Sequence, residues 1–187
     1  MAAALDSFSP LKGSCLASHD NRPTRTPAGG PFARQGGLVT AILFVCLGNI
    51  CRSPLAEGIL RHRIEAAGLS AAVSVDSAGT ASWHTGKTPD PRSIAVAARN
   101  GIDLTSQRAR QVAPADFETF DMILAMDDDN LSELHARATA GSRAEIRRFL
   151  DRDVPDPYYG GPDGFDHVFR MLDEGCAALV SELSGSL

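Results

Sequence analysis

Seven residues without a charged side chain, Val39-Thr40-Ala41-Ile42-Leu43-Phe44-Val45, run directly into Cys46-Leu47-Gly48-Asn49-Ile50-Cys51-Arg52-Ser53-Pro54, and a helical pattern follows at once. An apolar run of this length suits a strand buried on both faces, as in a parallel sheet. A loop that leaves such a strand and opens a helix brings backbone N–H groups and the positive end of the helix dipole to one place, where an anion binds. If Cys46 opens that loop, the same field favours its thiolate, since thiols at helix N-termini titrate at about 3.5–7.5 rather than about 8.5. The planar fork of Arg52 matches the oxygens of a phosphoryl group. Of the four cysteines only Cys46 has an arginine six positions on. Gly48 is expected to adopt backbone geometry closed to other residues, Asn49 tolerates positive φ, and Pro54 fits a first helical turn. Ser53 can cap the helix or donate to a neighbouring thiolate. The chemistry implied is phosphoryl transfer to sulfur.

The remaining chain alternates in the same way. Leu55, Ile59, Leu60 and Ile64 share a helix face that stops near Gly68, and Val73–Asp76 reads as a second strand. A long loop through 78–90 precedes a helix from Pro91 to about Asn100, with Gly101 as terminator. Asp121–Met126 reads as a third buried strand, followed by a helix over Asp128–Ala138. Ala144–Leu150 is ambiguous between strand and helix. A final helix is expected to bury Phe165, Val168, Phe169, Leu172, Cys176, Leu179, Val180 and Leu183. This order predicts an α/β fold with a parallel sheet sandwiched by helices and a site at the carboxyl ends of the strands.

A chain of 187 residues with 43% hydrophobic composition fits one domain. A net charge of −5 argues against an electrostatic grip on nucleic acid or an anionic membrane. No segment has the length and apolarity of a membrane span. Cysteines at 15, 46, 51 and 176 show no paired framework, which fits a reducing, cytoplasmic compartment. No His/Asp/Glu cluster has metal-ligand spacing, so neither metal nor cofactor is expected. Residues 1–37 are rich in Pro and Gly without periodicity and read as a disordered tail, with 38–187 as the catalytic domain. A dispensable tail is the favoured reading over a targeting segment, and a start codon assigned too early is a further one.

The segment C-L-G-N-I-C-R-S-P-L-A-E, Cys46 to Glu57, resembles the active-site loop of the low-molecular-weight protein tyrosine phosphatases. Asp156-Pro157-Tyr158-Tyr159 followed by Gly160 is similar to that family's general-acid loop. Further matches are Asp76-Ser77-Ala78-Gly79-Thr80, Pro89-Asp90-Pro91-Arg92, Arg108-Ala109-Arg110-Gln111 and Met126-Asp127. The resemblance implies a flavodoxin-like, four-stranded parallel sheet flanked by helices on both faces, with 144–150 as the fourth strand. The implied activity is hydrolysis of phosphotyrosine on proteins and of small aryl phosphates, by a monomer or weak homodimer.

In that reaction Cys46 would attack phosphorus while Asp156 protonates the leaving phenol oxygen and later deprotonates the hydrolytic water. Arg52 and the backbone of Leu47, Gly48, Asn49, Ile50, Cys51 and Ser53 would hold the phosphoryl oxygens. By resemblance Cys51 protects Cys46 from irreversible oxidation. Trp83, Tyr158 and Tyr159 would wall the substrate ring, with His84 at the rim. Ser77 would support the loop. Many relatives carry a histidine where this chain has Gln107, so Gln107 is expected to bond the loop asparagine or leave that bond unmade. Three alternatives compete. An arsenate reductase needs further relay thiols, and Ser77–Asp90 holds no cysteine. Arginine phosphatases typically have threonine in place of Ile50. A non-catalytic phosphotyrosine-binding module would have little use for Cys46, Arg52 and Asp156 together.

Overall fold

The computed structural model describes residues 39–161 and 163–186, and the tail read as disordered lies outside the described residues. Nine elements follow in order: β1 (Thr40–Cys46), α1 (Arg52–Ala66), β2 (Val73–Gly79), α2 (Pro91–Arg99), α3 (Asp116–Thr119), β3 (Met122–Ala125), α4 (Asp128–Arg137), β4 (Glu145–Arg148) and α5 (Gly164–Ser186). The four strands form one sheet in the order β2-β1-β3-β4, and every pairing is parallel.

Because side chains alternate across a strand, β1 supplies both layers of the core. Ile42 and Phe44 point into a cluster with Leu55, Ile59 and Leu60 of α1, Val96 of α2 and Val168 and Leu172 of α5. Leu43 and Val45 point the other way, against Phe117 of α3 and Leu134 of α4. Helices therefore cover both faces. Phe44 meets Phe149 edge-on, with ring centroids 5.0 Å apart. Of the apolar residues expected on the inner face of α5, all are buried except Val180, which is partly covered. No helix among the described residues is long and apolar enough to cross a membrane.

Helix stops fall where expected: Gly68 (φ 72°) follows α1 and Gly101 (φ 77°) follows α2, both in the left-handed region. The 144–150 segment does form a strand, Glu145–Arg148, at a sheet edge where Arg147 and Arg148 keep the exposed rim charged. The second strand is longer than its apolar pattern, running on to Gly79 because Ser77, Ala78 and Gly79 pair with Phe44, Val45 and Cys46 of β1. Short α3 went unanticipated, since four residues carry no periodicity.

β1 lies between β2 and β3, so the strand order reverses there and a crevice opens at its carboxyl end. The loop 47–51 fills that crevice. It is tied down by Thr80 N–H to Cys46 O (2.9 Å) and Ala81 N–H to Leu47 O (2.9 Å). Gly79 permits this approach: a Cβ there would stand 2.8 Å from Leu47 O and 3.1 Å from Asn49 N. Those neighbours are backbone and cannot rotate aside. Gly79→Ala is expected to lower unfolding free energy by about 1–3 kcal/mol, as overpacking does. Urea denaturation checks it; an unchanged midpoint would show a loop loose enough to move away.

Candidate active site

Cys46 ends β1 and Arg52 begins α1, so strand and helix hold the two ends of the loop rigidly. Both are buried. The loop turns at Asn49, the one described non-glycine residue with positive φ (53°), while Gly48 keeps ordinary geometry. Gly48 was expected to supply that freedom. Its small size matters instead, because a Cβ would come within 3.0 Å of His84 Cδ2. Ser53 lies inside the first turn and caps nothing; the helix has no side-chain N-cap. Its hydroxyl lies 3.1 Å from Cys46 Sγ, where either atom can donate, and Asn49 N–H donates to the same sulfur at 3.3 Å.

Asn49 is buried and every polar atom of its amide is used. Nδ2 donates to Ser53 Oγ (2.9 Å) and to Ser77 Oγ (2.9 Å), and Oδ1 accepts from Arg110 N–H (2.9 Å). Ser77 in turn donates to Glu57 Oε2 at 2.6 Å. Ser53 and Ser77 thus accept from Asn49, which leaves the Ser53 hydrogen for the sulfur or for Ala78 O at 3.2 Å. Arg110 is anchored by Asp76 (2.9 Å) and Asp116 (2.8 Å). Gln107 does not join this network. Its Nε2 donates to Pro54 O at 3.2 Å and its Oε1 is buried without a partner, so it braces the start of α1 rather than the loop asparagine.

Arg52 is the buried cation. Nη1 donates to Asp127 Oδ2 (2.5 Å) and Val154 O (3.0 Å), and Nη2 to Asp156 Oδ2 (3.0 Å). Burial opposes its charge, but Cys46, Asp156 and Asp127 outweigh burial and hold it above its ordinary value. Asp127 also caps α4 through Oδ1 to Asn130 N–H (2.7 Å), so one carboxylate orients Arg52 and opens a helix. Asp127 is not among the site residues expected from the sequence, although Met126-Asp127 matches the family and Asp127 stands at an N-cap position after a buried strand.

Cys46, Leu47, Gly48, Ile50, Cys51, Arg52, His84 and Asp156 line one cavity of about 250 Å³ together with the rings of Trp83, Tyr158 and Tyr159. Trp83 is 70% exposed and Tyr159 93%, so neither ring is part of the core. Tyr158 and Tyr159 pack edge to face, centroids 4.9 Å apart. The Cys51 thiol is pushed up to about 12 by burial and then by Asp90, Cys46 and Asp156, leaving it protonated at neutral pH beside Cys46. Among the described residues no group of three or more His, Cys, Asp or Glu side chains has the arrangement of a metal site. The arrangement can hold a tetrahedral anion against a sulfur nucleophile, with a carboxyl group at the entrance.

A family model described as low molecular weight phosphotyrosine protein phosphatase matches residues 41–186. A low molecular weight phosphotyrosine protein phosphatase of Schizosaccharomyces pombe is 46% identical over 139 residues, covering 70% of this chain and 88% of that protein. A crystal structure of protein tyrosine phosphatase from Entamoeba histolytica aligns with TM-score 0.74 and 40% identity, over 79% of this chain and 99% of that one. The crystal structure of a Drosophila arginine phosphatase aligns with TM-score 0.71 and 34% identity, over 76% and 96%.

Glu57, buried behind the loop, generates a pH dependence. Desolvation pushes its carboxyl from 4.5 up to about 7, against the opposing pull of Arg61 and Ser77. The folded protein therefore holds the extra proton between those values, and stability falls as pH rises through that window. Glu57→Gln is expected to remove a slope of up to about 3 kcal/mol between pH 4.5 and 8. Urea midpoints of both proteins at pH 5 and pH 8 check it; equal slopes would contradict it.

Proposed function

This chain belongs to the low molecular weight phosphotyrosine protein phosphatase family, and we propose that Cys46, Arg52 and Asp156 carry out its hydrolysis of phosphotyrosine through a phosphocysteine intermediate. The activity is that of a protein-tyrosine-phosphatase. The observation that carries the residue assignment is that these three side chains line one cavity with aromatic walls. Its floor is the sulfur, so the substrate must reach down to it, which suits a phenyl ring and leaves the shorter phosphoserine out of range.

In the first step Cys46 Sγ attacks phosphorus, the S–P bond forms and the P–O bond to the phenol breaks. Asp156 passes its proton to the departing oxygen. Arg52 and the loop backbone from Leu47 to Ser53 hold the equatorial oxygens as charge spreads over them. In the second step Asp156 takes a proton from water, the new P–O bond forms, and the S–P bond breaks to free inorganic phosphate and the Cys46 thiolate. A leaving thiolate needs donors, and the Asn49 N–H and the Ser53 hydroxyl, 3.3 Å and 3.1 Å from the sulfur, are placed to supply them. Ser77, through Asn49, keeps both donors aimed.

Peroxide oxidation of Cys46 to a sulfenic acid would be followed by condensation with the neighbouring Cys51 thiol, forming a disulfide with loss of water. Free cysteines 46, 51 and 176 support a reducing, cytoplasmic setting. The substrates are phosphotyrosine proteins, met by a monomer or weak homodimer. Likeness to an arginine phosphatase sets a second reading. Against it, Ile50 lines the cavity with apolar surface where a guanidinium would seek polar partners.

Phosphate release from matched phosphotyrosine, phosphoserine and phosphoarginine peptides, with chelator present, tests the assignment. Wild type is expected to select phosphotyrosine, Cys46→Ser to be inactive, and Asp156→Ala to be slower by about 10²–10⁴. Preference for phosphoarginine would transfer the function to that substrate, and binding without turnover would make the chain a phosphotyrosine trap.

A further inference from the structure

We infer that Arg92, which lies outside the cavity, is the positioning residue that holds the Asp156 loop against the phosphate loop; the inference rests on the acid role proposed for Asp156. The entry to the Asp156 loop is pinned by Val154, whose N–H donates to Met126 O (2.8 Å) and whose carbonyl accepts from Arg52. Past Asp156 the loop bonds to itself: Tyr158 N–H to Asp156 Oδ1 (3.0 Å) and Gly160 N–H to Pro157 O (3.0 Å). These bonds shape the turn, and Arg52 Nη2 to Asp156 Oδ2 (3.0 Å) holds the carboxylate by one oxygen, but neither fixes the backbone beyond Asp156.

Arg92 supplies the outside tether. Its Nη1 donates to Tyr158 O at 3.1 Å, and its guanidinium carbon lies 5.4 Å from the Tyr158 ring centroid and 4.5 Å from that of Phe165 in α5. The remaining fork grips Asp90, Nε to Oδ1 at 3.0 Å and Nη2 to Oδ2 at 2.9 Å. Asp90 is itself fixed twice. Its N–H donates to Ile50 O of the phosphate loop at 2.8 Å, and its Oδ1 caps α2 by accepting from Arg92 N–H at 2.8 Å. A continuous bracket thus runs from Ile50 through Asp90, Arg92 and Tyr158 to Asp156.

The bracket needs an arginine. One planar group makes two parallel bonds to a carboxylate, one to a carbonyl and two stacking contacts, whereas an ammonium cannot serve all of these directions. Its consequence is chemical: a proton is passed only across roughly 2.6–3.2 Å, and a misplacement of about 1 Å can cost about 100-fold. Arg92 touches neither sulfur nor phosphoryl group, so its loss should impair proton donation and spare anion binding.

The test measures kcat/KM on aryl phosphates whose phenols differ in acidity, with vanadate inhibition as the reading of the phosphate loop. Arg92→Ala and Arg92→Lys are expected to lose about tenfold or more on phenyl phosphate and phosphotyrosine, where the leaving oxygen needs its proton, and less than about threefold on p-nitrophenyl phosphate. Vanadate inhibition should stay within about twofold of wild type. Asp90→Asn retains an acceptor for the α2 cap while losing the ion pair, and is expected to show the same selective loss with its fold preserved. A loss uniform across the series, a parallel weakening of vanadate, or no loss in any variant would overturn the inference. Asp156→Ala run beside them separates the two ideas: a leaving-group dependence unchanged from wild type in that variant removes the acid role itself, and the bracket's purpose with it, whereas a steepened one with unaffected Arg92 variants overturns the bracket alone.

Discussion

One buried cation organises this molecule. The guanidinium of Arg52 is almost wholly removed from water and is neutralised from two directions, by Asp127 at the start of α4 and by Asp156 in the loop before α5. An unpaired charge in such a place would cost several kcal/mol, and breaking a buried pair typically costs about 3–5 kcal/mol. Three segments far apart in the chain are therefore obliged to meet at the first residue of α1. The crevice at the sheet's switch point becomes a site because that meeting happens there. The same geometry leaves the guanidinium desolvated and oriented, the state in which such a group receives an anion with little reorganisation.

Around that cation the loop is held open by satisfied polar groups. The loop is five residues long with one left-handed turn, at Asn49. Ser53, Ser77 and the Arg110 amide consume the donors and acceptor of the Asn49 side chain. The outer ring of the network is partly buried: Arg110 pairs with Asp76 and Asp116, and Arg61 reaches Glu57. Stability and sulfur chemistry are consequently tied together: the serine hydroxyl nearest Cys46 is aimed by an asparagine that is aimed by the far wall of the sheet.

Much of this was legible from residue order. The apolar run of β1, the Cys46 and Arg52 spacing, the glycine stops at Gly68 and Gly101, and the apolar stripe of α5 each follow from local rules, and the structure contains them within a few residues of the expected bounds. What escaped reading required knowledge of neighbours. Gly48 is small because His84 packs over it, and Gly79 is small because the loop backbone does. Gln107 faces Pro54 rather than Asn49, an outcome settled by where α1 begins. Asp127, Glu57 and Arg92 stand in stretches that match the family, but their partners Arg52, Ser77 and Tyr158 are set only by folding.

The sequence by itself determined the parallel αβ alternation, the family, and the loop that runs from Cys46 to Arg52, because hydrophobic periodicity and a strand-loop-helix segment are properties of contiguous residues. Only tertiary structure decided which carboxylates share Arg52, which serine faces the sulfur, and how the Asp156 loop is held, because those are pairings between segments up to about a hundred residues apart. Burial makes such pairings obligatory, and burial exists only once the sheet has formed.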